Sequence, residues 1–380
     1  MATLLGLGSA TATASDGALP APAALPFFAW TPAQRAERFA AAEDLLRAGD
    51  APGALAAWEA LALREHSADI ELGIVRSQMQ DGELRRATTF SAHTAGVHRQ
   101  DVAGSAVYGW LLALGGQRAA ARQRVDAALQ RHPDAALLQA VRERIDQPHP
   151  ALGAGMRELP HRLAPLSTGV VPDRPVQAVA SALLLGDGAQ ALLPADRLLA
   201  DQPVWLRDGL GRTVRGWPLD DDAPVLRRFR LDPPLPPPPA LQLAARDPFP
   251  GSPALSVLHG PSPDGEPAWP WLNQVFLGLP DAQGRRPLGL VDPQALVGGP
   301  VFDLSGVLVG VALGRADGTL LLRPASALSV WRERAGWGHA GPVTGPGTGT
   351  PGGAAPVARL PYDEVHERAL RLTLQVLQPR

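Results

Sequence analysis

Side chains able to do covalent chemistry are scarce in this chain, and the absences narrow the choice. Across 380 residues there is no Cys and no Lys, so all 35 basic residues are Arg. Thiolate catalysis, disulfides and zinc–cysteine sites are excluded, as are Schiff-base lysines and Ser–Lys dyads. What remains is Ser, His, Asp and Glu chemistry. His161, His259 and His339 lie in or near the β-prone half, and Ser305 sits in Leu304-Ser305-Gly306. Each taken alone reads as a surface or turn residue. The acidic run Asp220-Asp221-Asp222 could hold a Ca²⁺ ion but reads as a solvated turn beside a strand. No metal site and no cofactor site is read from the sequence.

The most informative stretch is Ala295 to Leu308, ALVGGPVFDLSGVL, which continues as Gly306 to Val311, GVLVGV. Two glycines and a proline make a tight turn, and short apolar runs on either side of Asp303 and Gly306 make a hairpin. The text before it is of the same kind. Runs at Val176–Leu185 and Ala189–Leu193 bracket Gly186-Asp187-Gly188. Val204–Leu206 and Thr213–Trp217 bracket Asp208-Gly209, and Val225–Leu231 continues the series. Residues 155–335 therefore read as an all-β domain.

In their order these runs resemble the bacterial branch of trypsin-like serine proteases. That family reads G-[DN]-S-G-G-P at its nucleophile turn, and Val297 stands where the serine would be, with Gly298, Gly299 and Pro300 retained. Ala295 replaces the glycine of the oxyanion turn. Leu192 to Leu198 fits the histidine window, with Asp196 in the histidine position. Asp222-Ala223-Pro224-Val225-Leu226-Arg227 fits the aspartate window, with Asp222 in the aspartate position or, if the alignment slips by one, Asp221. The three positions are 26 and 75 residues apart. Pro233 to Pro239 lies where the family crosses from one barrel to the next, and Phe249 to Pro261 resembles the first strand of the second barrel. The resemblance implies a double β-barrel with a degenerate triad (Asp196, Asp222, Val297) and a damaged oxyanion turn (Ala295, Gly298).

The preceding half has a different period. Thr31-Pro32 signals a helix start, and helices are expected at about 32–48 and 52–64, with a last one at about 135–146. Turn signals at Gly49-Asp50, Asp81-Gly82 and Gly115-Gly116 recur at 33 and 34 residues. This matches the tetratricopeptide period, and LLRAGDAPGALAAWEAL is similar to the turn and second helix of that repeat. The fold class is therefore multidomain: an N-terminal all-α helical repeat, tetratricopeptide-like, over 32–147, then an all-β double barrel, trypsin-like, over 155–335.

Three further segments complete the plan. Residues 1–31 read as a leader and linker whose A-x-A pattern at Ala12 and Ala14 resembles the end of a secretory signal, without its positive n-region; this favours export over the cytoplasm. Residues 336–358 read as a Gly/Pro-rich linker. Residues 359–380 begin like a helix and end in alternation, resembling the lead-in helix and first strand of trypsin-like domains. Two readings stay open there: a terminal helix docked elsewhere, or a strand added back to a barrel edge. A net charge of −2 argues against nucleic acid as partner, and no segment is long and apolar enough to span a membrane. The expected function is a pseudoprotease that binds a protein or peptide; the alternative is an active serine endopeptidase with a non-standard nucleophile.

Overall fold

The turn glycines that set the helical period do what that period demands. Gly49, Gly82 and Gly116 all have positive φ, between 79° and 84°, where a side chain would be strained. In the computed structural model, residues 30–147, 152–158, 161–199, 202–219, 225–289, 295–314, 318–332 and 358–380 are described. The leader at 1–29 and most of the linker expected at 336–358 lie outside them.

Seven α-helices come first: α1 Pro32–Arg47, α2 Ala51–Ala62, α3 Ala68–Asp81, α4 Leu84–Val97, α5 Val102–Leu114, α6 Arg118–Leu129 and α7 Ala136–Ile145. The Thr31 hydroxyl accepts from the amide of Gln34, whose side chain caps the Thr31 amide in return, and Pro32 opens α1. Asp50 caps α2 through the Gly53 amide. Each helix packs on its successor, with α3·α5 and α5·α7 contacts behind.

The strands are β1 Thr168–Gly169, β2 Val176–Leu184, β3 Gln190–Pro194, β4 Val204–Asp208, β5 Arg212–Pro218 and β6 Leu226–Asp232, then β7 Pro253–Leu258, β8 Trp271–Phe276, β9 Arg286–Pro287, β10 Pro300–Phe302, β11 Leu308–Gly314 and β12 Leu320–Pro324. Helix α8 (Ala325–Arg332) follows, and the chain ends with helix α9 (Tyr362–Leu370) and strand β13 (Thr373–Pro379). The first sheet runs β1-β5-β4-β13-β2-β3-β6, and a further β5–β6 pairing closes six of its strands into a barrel. The second runs β8-β7-β10-β11-β12-β9, its two ends joined by the Leu277–Leu288 bridge. A helical N-terminal region followed by a double β-barrel is thus the architecture.

Each reading of the C-terminus holds in part: α9 docks on α4, and the strand enters the interior of the first sheet rather than a barrel edge. Strand β13 is inserted between β2 and β4, with Leu374 opposite Ala182 on one side and Asp208 on the other. The buried Arg207 guanidinium donates to Gln375 Oε1 at 3.0 Å and to the Gly265 carbonyl at 2.6 Å. Burial pulls its pKa down, to about 10. Helix α9 rests on α4, so the last 19 residues tie the helices to the first barrel. Trp110 of α5 meets Trp271 of β8 edge-on at 5.0 Å, which ties the helices to the second.

Two fully buried histidines sit at these seams. His366 of α9 donates from Nε2 to the Pro270 carbonyl at 2.8 Å, and its Nδ1 has no partner. Burial lowers its pKa to about 4 and that of His259 to about 3. Both rings are neutral when folded, whereas the unfolded chain takes up protons below about pH 6.5. Stability therefore falls as pH drops from 6.5 toward 4. For His366 the loss between pH 7 and pH 4.5 is roughly 2–3 kcal/mol. His366→Gln, which keeps the donor to Pro270, should shrink the gap between urea unfolding free energies at those two pH values by about that amount.

Candidate functional site

The turn of interest is held by backbone groups from both barrels. Leu296 donates its amide to the His259 carbonyl at 3.0 Å, Gly298 donates to Ala312 at 2.6 Å, and the Val297 carbonyl accepts from the Ser181 amide of β2 at 2.7 Å. Gly298 has φ +107°, and a Cβ there would lie 1.9 Å from the Ser181 carbonyl oxygen and 2.7 Å from Pro194 Cδ. Only glycine fits. Packing thereby explains the glycine at 298: it lets the second barrel's turn seat directly on the first.

Val297 is 4% exposed and Ala295 6%, and they share a core cluster with Ala254, Leu258, Val301 and Ala312. A buried isopropyl group has no lone pair with which to attack a carbonyl. Asp196 lies in the 3-10 turn Ala195–Arg197, directly after Pro194, so the structure brings its turn beside the Val297 turn. The Asp196 carboxylate is exposed, and its nearest countercharge is Arg197 Nε at 3.7 Å. Asp222, with Asp220 and Asp221, lies outside the described residues.

A charged side chain near the Val297 side chain is one the sequence did not single out. A Cβ on Gly314 would meet Arg197 Nη2 at 2.8 Å and Val297 Cγ1 at 3.1 Å, so the guanidinium and the valine flank the same glycine. A cation beside the carboxylate at the histidine position is the only signal the sequence carried, and a lone Asp-Arg pair is too common to stand out.

The alternative nucleophile is placed as well. Ser305 Oγ donates to Asp303 Oδ1 at 2.6 Å, and the same oxygen accepts the amides of Ser305 and Val307 at 2.8 and 3.0 Å. That is an Asx-type turn closing the β10–β11 hairpin. His259 is fully buried, and its backbone amide donates to Ser181 Oγ at 2.9 Å while neither ring nitrogen makes a well-formed hydrogen bond; contacts with the Thr373 and Ala268 backbone only partly offset its burial. The sequence also missed a gathering of ligating side chains in the helical region, at His66, Glu71, His93 and His98.

No protein-family model matches the chain, and no curated protein matches it in sequence. Among solved structures it is similar to the Rv3671c protease of M. tuberculosis in its active form, at 14% identity over 50% of this chain and 94% of that one, with a TM-score of 0.33. It is similar to the MamO protease domain of Magnetospirillum magneticum at 16% identity, over 45% and 97%, with a TM-score of 0.32. A serine endoprotease of Yersinia pestis gives 14%, 42%, 61% and 0.34 in the same order. Overlaps this slight add nothing to the architecture read from strand pairing, and nothing about activity.

Val297 is built into the core, so placing a hydroxyl there buries an unpaired polar group and removes apolar contacts. Val297→Ser should lower unfolding stability by about 1–3 kcal/mol. It should gain no covalent labelling by a fluorophosphonate probe, read by intact mass beside a chemical denaturation curve.

Proposed function

We propose that this chain is a degenerate trypsin-like protein that works by binding a protein or peptide rather than by cutting one. The single observation that carries the reading is that the position expected to bear the nucleophile is a buried valine anchored between two barrels. Three further features support it. Asp196 stands in the base position, where the trypsin-like family has an imidazole, and carboxylates as a class are poorer acceptors of a hydroxyl proton than imidazole. The oxyanion turn carries Ala295 in place of glycine, with the Leu296 and Gly298 amides committed to protein carbonyls. Losing a nucleophile or a base in such a site costs on the order of a million-fold in kcat.

The helical region supplies a surface suited to recognition. A groove of about 1370 Å³ runs between α2, α4 and α9. Its apolar part includes Leu63, which is 84% exposed, and Phe90, while Arg85, Arg86 and Glu367 provide charge. Apolar floor with a charged rim is the usual composition of a peptide-binding surface. The tetratricopeptide reading of the helices fits this use, since stacked helix pairs present such a face.

Two measurements on the full chain test the proposal. Fluorophosphonate labelling and casein turnover should both be absent; stoichiometric labelling lost on Ser305→Ala would establish the serine endopeptidase instead. Panning of a displayed random-peptide library should enrich a consensus on the wild type and lose it on Leu63→Asp. Enrichment that survives Leu63→Asp would move binding away from the helical groove.

A further inference from the structure

The helical region concentrates imidazole nitrogens on one buried carboxylate. Glu71, in the first turn of α3, is only 3% exposed, a burial that charged side chains tolerate only when paired. Its Oε1 lies 2.7 Å from His66 Nε2, 3.5 Å from His93 Nε2 and 3.5 Å from His98 Nε2. Its Oε2 has no hydrogen-bond partner, and neither does His98 Nε2. His66 lies in the α2–α3 connection, His93 on α4 and His98 at that helix's C-cap. The donor atoms of His66, Glu71 and His93, from the α2–α3 connection, α3 and α4, thus share one volume, with His98 Nε2 beside Glu71.

We propose that His66, Glu71 and His93 form a binding site for a divalent transition-metal ion of the zinc class. Two imidazole nitrogens and one carboxylate oxygen make a donor set that suits zinc and its neighbours, and not Ca²⁺ or Mg²⁺, which take oxygen ligands. The spacing fits as well. Zinc–ligand bonds of 2.0–2.2 Å in a tetrahedron put neighbouring donors about 3.3 Å apart. Two of the three measured contacts are 3.5 Å, and the donor atoms of His66, Glu71 and His93 all lie within 4.8 Å of one another. Closing that set takes side-chain shifts of about an ångström.

The surroundings hold these ligands in place. Phe90 stacks on the His93 ring at 5.7 Å from the previous turn of α4. The connection that carries His66 is pinned to α1, where Arg35 bonds Glu65 at 2.7 Å and Asp69 at 2.8 Å. The His66 and His93 side chains are about half exposed, which leaves an entry path for the ion. Three protein ligands leave a fourth position for water or for the neighbouring His98, and an ion there would clamp the α2–α3 connection to α4.

Zn²⁺ titrated into the chelator-treated full chain, followed by calorimetry and by thermal unfolding, should bind at one equivalent and raise Tm. Co²⁺ in its place should give the visible absorption of a tetrahedral nitrogen–oxygen site. Glu71→Gln and, at an exposed position where folding is not at stake, His66→Ala should each weaken Zn²⁺ binding by more than about a hundredfold, beyond what loss of an outer-shell partner costs. His132→Ala, a histidine outside the cluster, should leave it unchanged. The proposal is overturned if Zn²⁺ does not bind, as for imidazoles that only balance the Glu71 charge. It is equally overturned if binding persists unchanged in both cluster variants.

Discussion

The structure depends on one strand that arrives last. Strands β2 and β4 of the first barrel are not paired with each other; β13 lies between them and pairs with both. Without it each would present a row of unpaired amides and carbonyls, the liability that barrel closure removes. The same segment carries Leu370 into the core of the helices and Val365 and Ala369 into the core around the barrels. Gln375 pairs with Ser181, and Ser181 in turn holds the Val297 carbonyl. The geometry of the candidate site is therefore downstream of the C-terminal residues of the chain.

That dependence gives the G-G-P turn a meaning other than catalysis. Gly298 is needed because the Ser181 carbonyl and Pro194 leave no room for a Cβ, and this requirement holds whatever residue precedes it. Val297 then fills apolar space in the second barrel, and Arg197 covers the neighbouring Gly314.

The helices form a second centre of polar interest, remote in sequence from the barrel turns. Buried charge there is concentrated on Glu71 and on Arg76, whose guanidinium pairs with Glu43. Arg76 is satisfied by one carboxylate, as a buried cation must be. Glu71 instead faces three imidazoles, and His93 also borders the groove between α2, α4 and α9. An ion at Glu71 would therefore bear on the shape of that groove.

Local requirements were legible in the sequence. The turns at Gly49, Gly82 and Gly116 could be read because a left-handed residue after a helix selects glycine without reference to the rest of the fold. The hairpins around Gly186–Gly188 and Asp208-Gly209 were legible for the same reason, as was the break between helical and β text near residue 150. What needed the tertiary structure was every relation between distant segments. Alternation at Thr373–Pro379 marks a strand but cannot name β2 and β4 as its neighbours. Nor could spacing reveal the histidine–glutamate cluster. His66 and Glu71, like His93 and His98, are five residues apart, which is not a helical step; they converge because His66 precedes α3 and His98 leaves α4 at its cap. The sequence by itself determined where the chain turns and which segments are helix or strand, because those follow from backbone sterics within a few residues. Which side chains share a site was decided only by the closing of the barrel and the stacking of the helices.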